Sequence, residues 1–248
     1  MKPFARLLSI IALGVILVQL TSCKKIIDKL FKDPVATLDA CYINKITDNY
    51  QGRTFLFTYN SLGNPVTVTN DMVATAYPNY HFWYDSENRL TDFIGLYTNG
   101  NYESWHKYGY DILNRIVKDT QYVFGVFGPE PDPSSYSIIE HTYTYDASKR
   151  IIKDDGIYIQ PAGNSPFTNT YTYNASGNLT SGSAYDTKVN LHRTNKIWMF
   201  VSRNYSLNNP IPAVSYNSYS LPIEFNHPSP YNFLRTAINE STIEYVCP

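Results

Sequence analysis

The chain has 248 residues, with 20 Lys plus Arg against 21 Asp plus Glu, a formal net charge of −1, 23 tyrosines and 12 phenylalanines. So even a balance argues against a nucleic-acid partner, because phosphate binding needs a concentrated basic surface. The length and the aromatic content are sufficient for one sizeable core.

The first 22 residues carry Lys2 and Arg6 as their only charges, and an apolar run extends from Leu7 to Leu20. This layout predicts a secretory signal peptide over residues 1–22, since the run is shorter than the roughly 20 residues a helix needs to cross the hydrocarbon core. The run ends in Leu20-Thr21-Ser22-Cys23, which resembles the lipobox of bacterial lipoproteins. That resemblance implies a diacylglycerol on Cys23, a tether over 23–34, and anchoring to the envelope of a Gram-negative bacterium at its outer membrane. The expected membrane contact is through the lipid, whose acyl chains contribute about 0.8 kcal/mol per buried methylene. Removing residues 1–22 takes away two cations and no acid, which moves the net charge from −1 to −3. Residues 35–248 then form a single domain.

With Cys23 lipidated, Cys41 and Cys247 are the remaining thiols in an oxidising compartment. They bracket the rest of the sequence, and two readings stand: a disulfide pinning the first strand to the last, or two separate buried thiols. Neither cysteine has a Cys or His nearby at ligand spacing, so no metal site is expected.

Between them a short phrase recurs: an aromatic, any residue, Tyr, Asp or Asn, two variable residues, a turn-former, a basic or amide residue, then an aliphatic. The copies centre on Phe57-Thr58-Tyr59-Asn60, Phe82-Trp83-Tyr84-Asp85, Tyr108-Gly109-Tyr110-Asp111, Tyr143-Thr144-Tyr145-Asp146, Tyr171-Thr172-Tyr173-Asn174 and a worn Val214-Ser215-Tyr216-Asn217. Recurrence of this kind marks a repeat architecture. The aromatic and the tyrosine are two apart, so on a strand they share one face, and His106 and His141 fall on that face two residues further back. The opposite parity reads Thr168, Thr170, Thr172 in one copy and Glu140, Thr142, Thr144 in another, the pattern of a sheet with one wet side. Asp or Asn after the tyrosine favours a local turn. Gly63, Asn88, Asn114 and Gly177 then supply residues that tolerate positive φ. Lys149 and Ser220 occupy the same position, where a strained turn or a different one is expected.

The fold expectation is therefore all-β, an antiparallel meander of about six repeated β-hairpins. The Tyr-Asp-x-x-Asn-Arg-aliphatic stretches Tyr84 to Leu90 and Tyr110 to Ile116 resemble the YD repeats of RHS-type bacterial surface and toxin-carrier proteins, and the likeness covers residues 55–226. With few, unevenly spaced repeats and no room for an enclosed toxin, the chain is more similar to small envelope lipoproteins built from YD-like repeats. That resemblance implies location and fold, without an activity.

Two insertions interrupt the rhythm. Gly125 to Ser135, with Pro129, Pro131 and Pro133, reads as a long loop. Thr194 to Arg203 carries Ile197, Phe200 and Val201 at helical spacing behind a cap at Thr194 or Asn195, which predicts a short helix near residues 194–203 that covers the aromatic face. No nucleophile motif, metal motif, phosphate loop or dinucleotide fingerprint occurs, so no catalytic residue, cofactor or enzymatic activity is expected. The expectation is a structural or ligand-binding module for a glycan or an envelope protein, with the aromatics off the motif face, Trp83, Trp105 and Tyr122, as the candidate contacts. The alternative is an envelope hydrolase using loop carboxylates, Asp154 with Asp155 or Glu130 with Asp132.

Overall fold

The computed structural model describes residues 29–30, 32–38, 40–160, 165–182, 184–210, 213–226, 231–234, 236–238 and 240–248. Among the described residues, helical positions at Lys29, Leu30 and Lys32 precede ten strands: β1 (Tyr42–Asp48), β2 (Arg53–Tyr59), β3 (Pro65–Asn70), β4 (Asn79–Tyr84), β5 (Leu90–Leu96), β6 (Asn101–Tyr110), β7 (Ile116–Val126), β8 (Ser137–Tyr145), β9 (Ile151–Gln160) and β10 (Pro166–Thr170). A 3-10 turn (Leu191–Thr194) and the helix α1 (Lys196–Val201) follow. The chain ends in β11 (Ser215–Tyr216), β12 (Pro222–Phe225), β13 (Tyr231–Phe233), β14 (Thr236–Ile238) and β15 (Ser241–Val246).

Thirteen of these strands form one open antiparallel sheet, in the spatial order β10-β9-β8-β7-β6-β5-β4-β3-β2-β1-β15-β12-β11, and β13 pairs with β14 as a separate hairpin. Sequential antiparallel strands need only short connections, which is why the first ten lie in chain order. The last long strand breaks that order. β15 inserts beside β1 with Tyr42 opposite Val246 and Asp48 opposite Ser241, so both ends of the domain meet inside the sheet. The sulfurs of Cys41 and Cys247 are bonded at that seam, 2.09 Å apart.

The recurring phrase makes one turn. In all six copies the Asp or Asn amide donates to the carbonyl four residues on, and the residue three on donates back: Asp85 N to Arg89 O and Asn88 N to Asp85 O, each 3.0 Å, are typical. The side chain does the rest, as Asp85 Oδ1 accepts from the amides of Glu87 and Arg89, and Asp111 Oδ1 from those of Leu113 and Arg115. The phrase tyrosine sits at a register shift in β2, β4, β6, β8 and β11, the bulge that such a turn requires. Gly63 and Gly177 lie at φ +76° and +77°.

Lys149 and Ser220 build the same turn at φ +63° and +62°. The hydrogen bonds of the loop therefore impose the left-handed conformation on residues that disfavour it by roughly 1 kcal/mol. Lys149→Gly is accordingly expected to stabilise the fold by about 0.5 to 1 kcal/mol, to be measured by urea denaturation against Asn88→Gly as a low-gain control, since Asn is among the few residues that visit this region routinely.

Two contacts tie each turn to its neighbour. The tyrosine hydroxyl donates to the first carbonyl of the preceding return strand: Tyr84 to Pro65 at 2.7 Å, Tyr110 to Leu90 at 2.9 Å, Tyr145 to Ile116 at 2.6 Å, and Tyr173 to Ile151 at 3.2 Å. In the three turns that end in arginine, Arg89, Arg115 and Arg150 each bind the turn's own aspartate and lie over the next tyrosine ring, with Arg89 5.0 Å from the Tyr110 centroid and Arg150 3.9 Å from that of Tyr173. Tyr, Asp and Arg thus each have a distinct task within the phrase.

The motif face is the main core. Phe55, Phe57, Tyr80, Phe82 and Tyr143 are buried on it. Asn195, with its side chain accepting from Ile197 N, caps α1. Every residue of α1 after Lys196 is buried, because the sheet packs on one side while Phe233 and Leu234 join the same cluster. The other face is not wet throughout. Over β5 and β6 it carries a second small core of Ile94, Tyr102 and Trp105. The proline-rich segment lies on that core, although β7 runs two residues into it, pairing Gly125 with Tyr102 and Val126 with Asn101. Tyr102 Oη accepts from Asp132 N and is 2.5 Å from Ser135 Oγ, while Phe127 stacks on Trp105 at 5.4 Å.

Candidate binding surfaces

Three places concentrate functional groups. The first is a cleft of about 460 Å³ where the turns after β4, β6 and β8 face α1. Its floor is apolar, with Leu90, Ile116, Ile197, Met199 and Phe200, and its wall holds Arg89, Arg115, Lys149, Lys196 and the single acid Glu87. Asp85 and Asp111 sit just behind the arginines. The backbone N–H groups of Arg89 and Arg115, followed by their guanidinium groups, hold these two carboxyls below the ordinary aspartate range.

The second is a buried polar network within the motif face. His106 Nδ1 lies 2.9 Å from Asp119 Oδ2, Tyr143 Oη donates to the same oxygen at 2.8 Å, and Arg203 Nη2 is 3.6 Å from it while also donating to Tyr143 Oη. His141 Nδ1 makes the analogous contact with Asp154 Oδ1 at 2.8 Å. Burial alone would raise the Asp119 pKa, but the charges of His106 and Arg203 and the His106 hydrogen bond outweigh it and bring it to about 2. Arg203 is pushed above its usual value by the tyrosine and aspartate groups around it, against the opposing effect of burial.

A depressed carboxylate stabilises the fold above its unfolded pKa, and that stability is lost as pH falls through the folded value. From the ordinary value of 3.8 to about 2, the Asp119 contribution is roughly 2 kcal/mol. Denaturant midpoints are expected to fall progressively from about pH 4 to below pH 2, and Asp119→Asn should flatten that limb.

His106 and His141 lie at one repeat position, yet Asp119 is the residue paired across from His141, so a carboxylate separates the two imidazoles. No group of three or more His, Cys, Asp or Glu side chains suited to a metal occurs among the described residues.

The third place holds the three expected aromatics. Trp83 lies edge-on to Trp105 at 5.4 Å, and Tyr122 packs against the same cluster, opposite Trp105 on β7. Trp105 itself is 0% exposed, with Nε1 donating to Asp92 at 2.7 Å, so it supports the surface from below and is removed from direct ligand contact. The insertion that covers it is 20 residues further along the chain and shows no local sign of the pairing. Trp83 and Phe127, 6.1 Å apart, are each 38% exposed and form the outer aromatic shelf.

The carboxylates considered for hydrolysis diverge. Asp154 and Asp155 are consecutive on β9 and point to opposite faces, one bound to His141 and the other exposed with Lys153 and Thr168. Glu130 binds Lys107, whereas Asp132 caps its own loop through Ser134 and Val126 N. Cys23 lies outside the described residues. Among the described residues, no helix is long and apolar enough to cross a membrane.

No protein-family model and no curated protein matches the sequence. Among solved structures, a chain from the crystal structure of TcdB2-TccC3-TEV is 12% identical, with 69% of this chain and 9% of that one covered and a TM-score of 0.28. A chain of TcdB2-TccC3-Cdc42 is 13% identical, with 57% and 11% covered and a TM-score of 0.23. This chain thus spans about a tenth of each, and superposition this poor assigns neither a fold nor a function.

Proposed function

We propose that the chain is a lipid-anchored envelope protein, held at the outer membrane through Cys23, whose domain of about six YD-like hairpins is a rigid module that binds a glycan. The observation that supports the binding role is the aromatic shelf of Trp83 and Phe127 over the buried Trp105. The C–H faces of a pyranose ring pack on such a surface, and rigid aromatic anchors lose little side-chain entropy on binding. The tyrosines of the phrase are committed to the core and to the inter-turn hydrogen bonds, which leaves the shelf for a ligand.

Trp105 and Trp198 are both fully buried, so Trp83 is the tryptophan open to a soluble quencher. A glycan found by array screening should protect Trp83 fluorescence from acrylamide, and Trp83→Ala should abolish the array signal while the protein keeps a cooperative unfolding transition. Array hits that persist in Trp83→Ala would remove the shelf from the reading. The anchor is tested separately, because Cys23→Ser should move the protein from the membrane to the soluble fraction and end incorporation of labelled lipid precursor.

A further inference from the structure

We infer that the cleft between the repeat turns and α1 is a second binding site, for a small amphiphilic anion: a carboxylate or phosphate ester with an apolar body. The inference is independent of the aromatic shelf, which lies on the opposite face of the sheet. Its volume, about 460 Å³, lies in the range of small-molecule sites.

The two halves of such a ligand match the two parts of the lining. An apolar body is received by the half-buried Val35, Tyr110 and Tyr145, over a floor that the buried Leu90, Ile116, Met199 and Phe200 close from below. The head group is received by an uneven set of charges. Four cations line the cleft against Glu87 alone. Arg89 and Arg115 already hold Asp85 and Asp111. Lys149 and Lys196 are exposed and form no ion pair among the described residues, so their charge is open to a ligand.

The position of Lys149 is a second indication. Of the six equivalent turn residues, Gly63, Asn88, Asn114, Lys149, Gly177 and Ser220, it is the one cation, and it stands at φ +63° where glycine or asparagine is accommodated at lower cost. The turn hydrogen bonds do not require a lysine there. Ser220 bears the same φ without a charge, so the turn itself accounts for the strain, and what is particular to Lys149 is the cation it brings to the cleft.

The test is calorimetric titration of the full chain in a non-ionic detergent, with empty micelles as the blank, using octanoate, octyl phosphate and octylammonium. The two anions should bind at least tenfold more tightly than the cation of equal chain length, and added salt should weaken them. Tighter binding of octyl phosphate assigns the site to a phosphate ester, and tighter binding of octanoate assigns it to a carboxylate. Lys149→Gly with Lys196→Ala should lower anion affinity tenfold or more. Lys149→Gly relieves strain and Lys196 is exposed, so the double variant stays folded, and an unlowered denaturation midpoint confirms that the loss is local. Equal uptake of all three probes, no heat beyond the blank, or affinity unmoved in the folded double variant would overturn the inference.

Discussion

Cys41→Ala with Cys247→Ala is expected to lower the unfolding free energy by about 4 to 5 kcal/mol, the upper end of what a single cross-link contributes. The two cysteines are 206 residues apart in sequence, and in the chain-entropy account closing so long a loop removes a large share of the freedom of the unfolded chain. In the folded state they flank the β1–β15 seam, where Tyr42 already faces Val246, so the bond joins strands that are hydrogen-bonded to each other. The loss should therefore reside mainly in the denatured state. Urea denaturation of the oxidised protein and the double variant tests this, with the variant expected to show a larger m-value because its unfolded chain exposes more surface. A change below about 1 kcal/mol would mean that the denatured chain keeps its ends together without the bond.

The same seam marks the limit of what can be read locally. Each turn is legible because its determinants lie within five residues: the Asp or Asn side chain binds amides two and four positions on, and the phrase records that directly. Lys149 and Ser220 obscure the pattern without changing it, since the hydrogen bonds of the loop hold a positive φ regardless of the side chain. The partner of β1 has no such local signature. β15 lies at the other end of the described chain, with the whole meander between it and β1, and β13 with β14 is likewise too short to show a period of two.

The candidate sites follow the same division. The parity of Trp83, Trp105 and Tyr122 was readable, and it placed them on the face opposite the motif tyrosines. The burial of Trp105 was not, because it depends on Phe127 and Ser135 folding back across the sheet. Asp119 gave no signal at all. It becomes a partner of His106, Tyr143 and Arg203 only when β6, β7, β8 and the segment after α1 are assembled. The cleft is equally non-local, being made by three turns and a helix drawn from residues 87 to 205, with Val35 from the segment before β1. Cationic turn residues look like ordinary solvated charges until that geometry brings them to one wall.

Trp198→Ala should destabilise the domain by about 3 to 5 kcal/mol, the range for emptying a large buried aromatic site. Trp198 is 0% exposed, and its ring lies 5.8 Å from Phe57, 6.3 Å from Tyr59, 5.5 Å from Phe82 and 5.6 Å from Phe233. It is thus the point at which the helix, the motif face of β2 and β4, and the β13–β14 hairpin all meet. Neighbours drawn from three separate elements cannot collapse together into the vacated volume, which places the cost toward the upper end. Thr170→Ala, on the exposed edge strand β10, should cost about 0.5 kcal/mol or less. Chemical denaturation of the two variants in parallel checks the contrast. The near-ultraviolet circular dichroism of Trp198→Ala should also lose signal while the far-ultraviolet strand signal persists, because the hydrogen-bonded turns and tyrosine contacts at the strand ends do not depend on the cover. Equal destabilisation at both positions would show that α1 rests on the aromatic face without closing it.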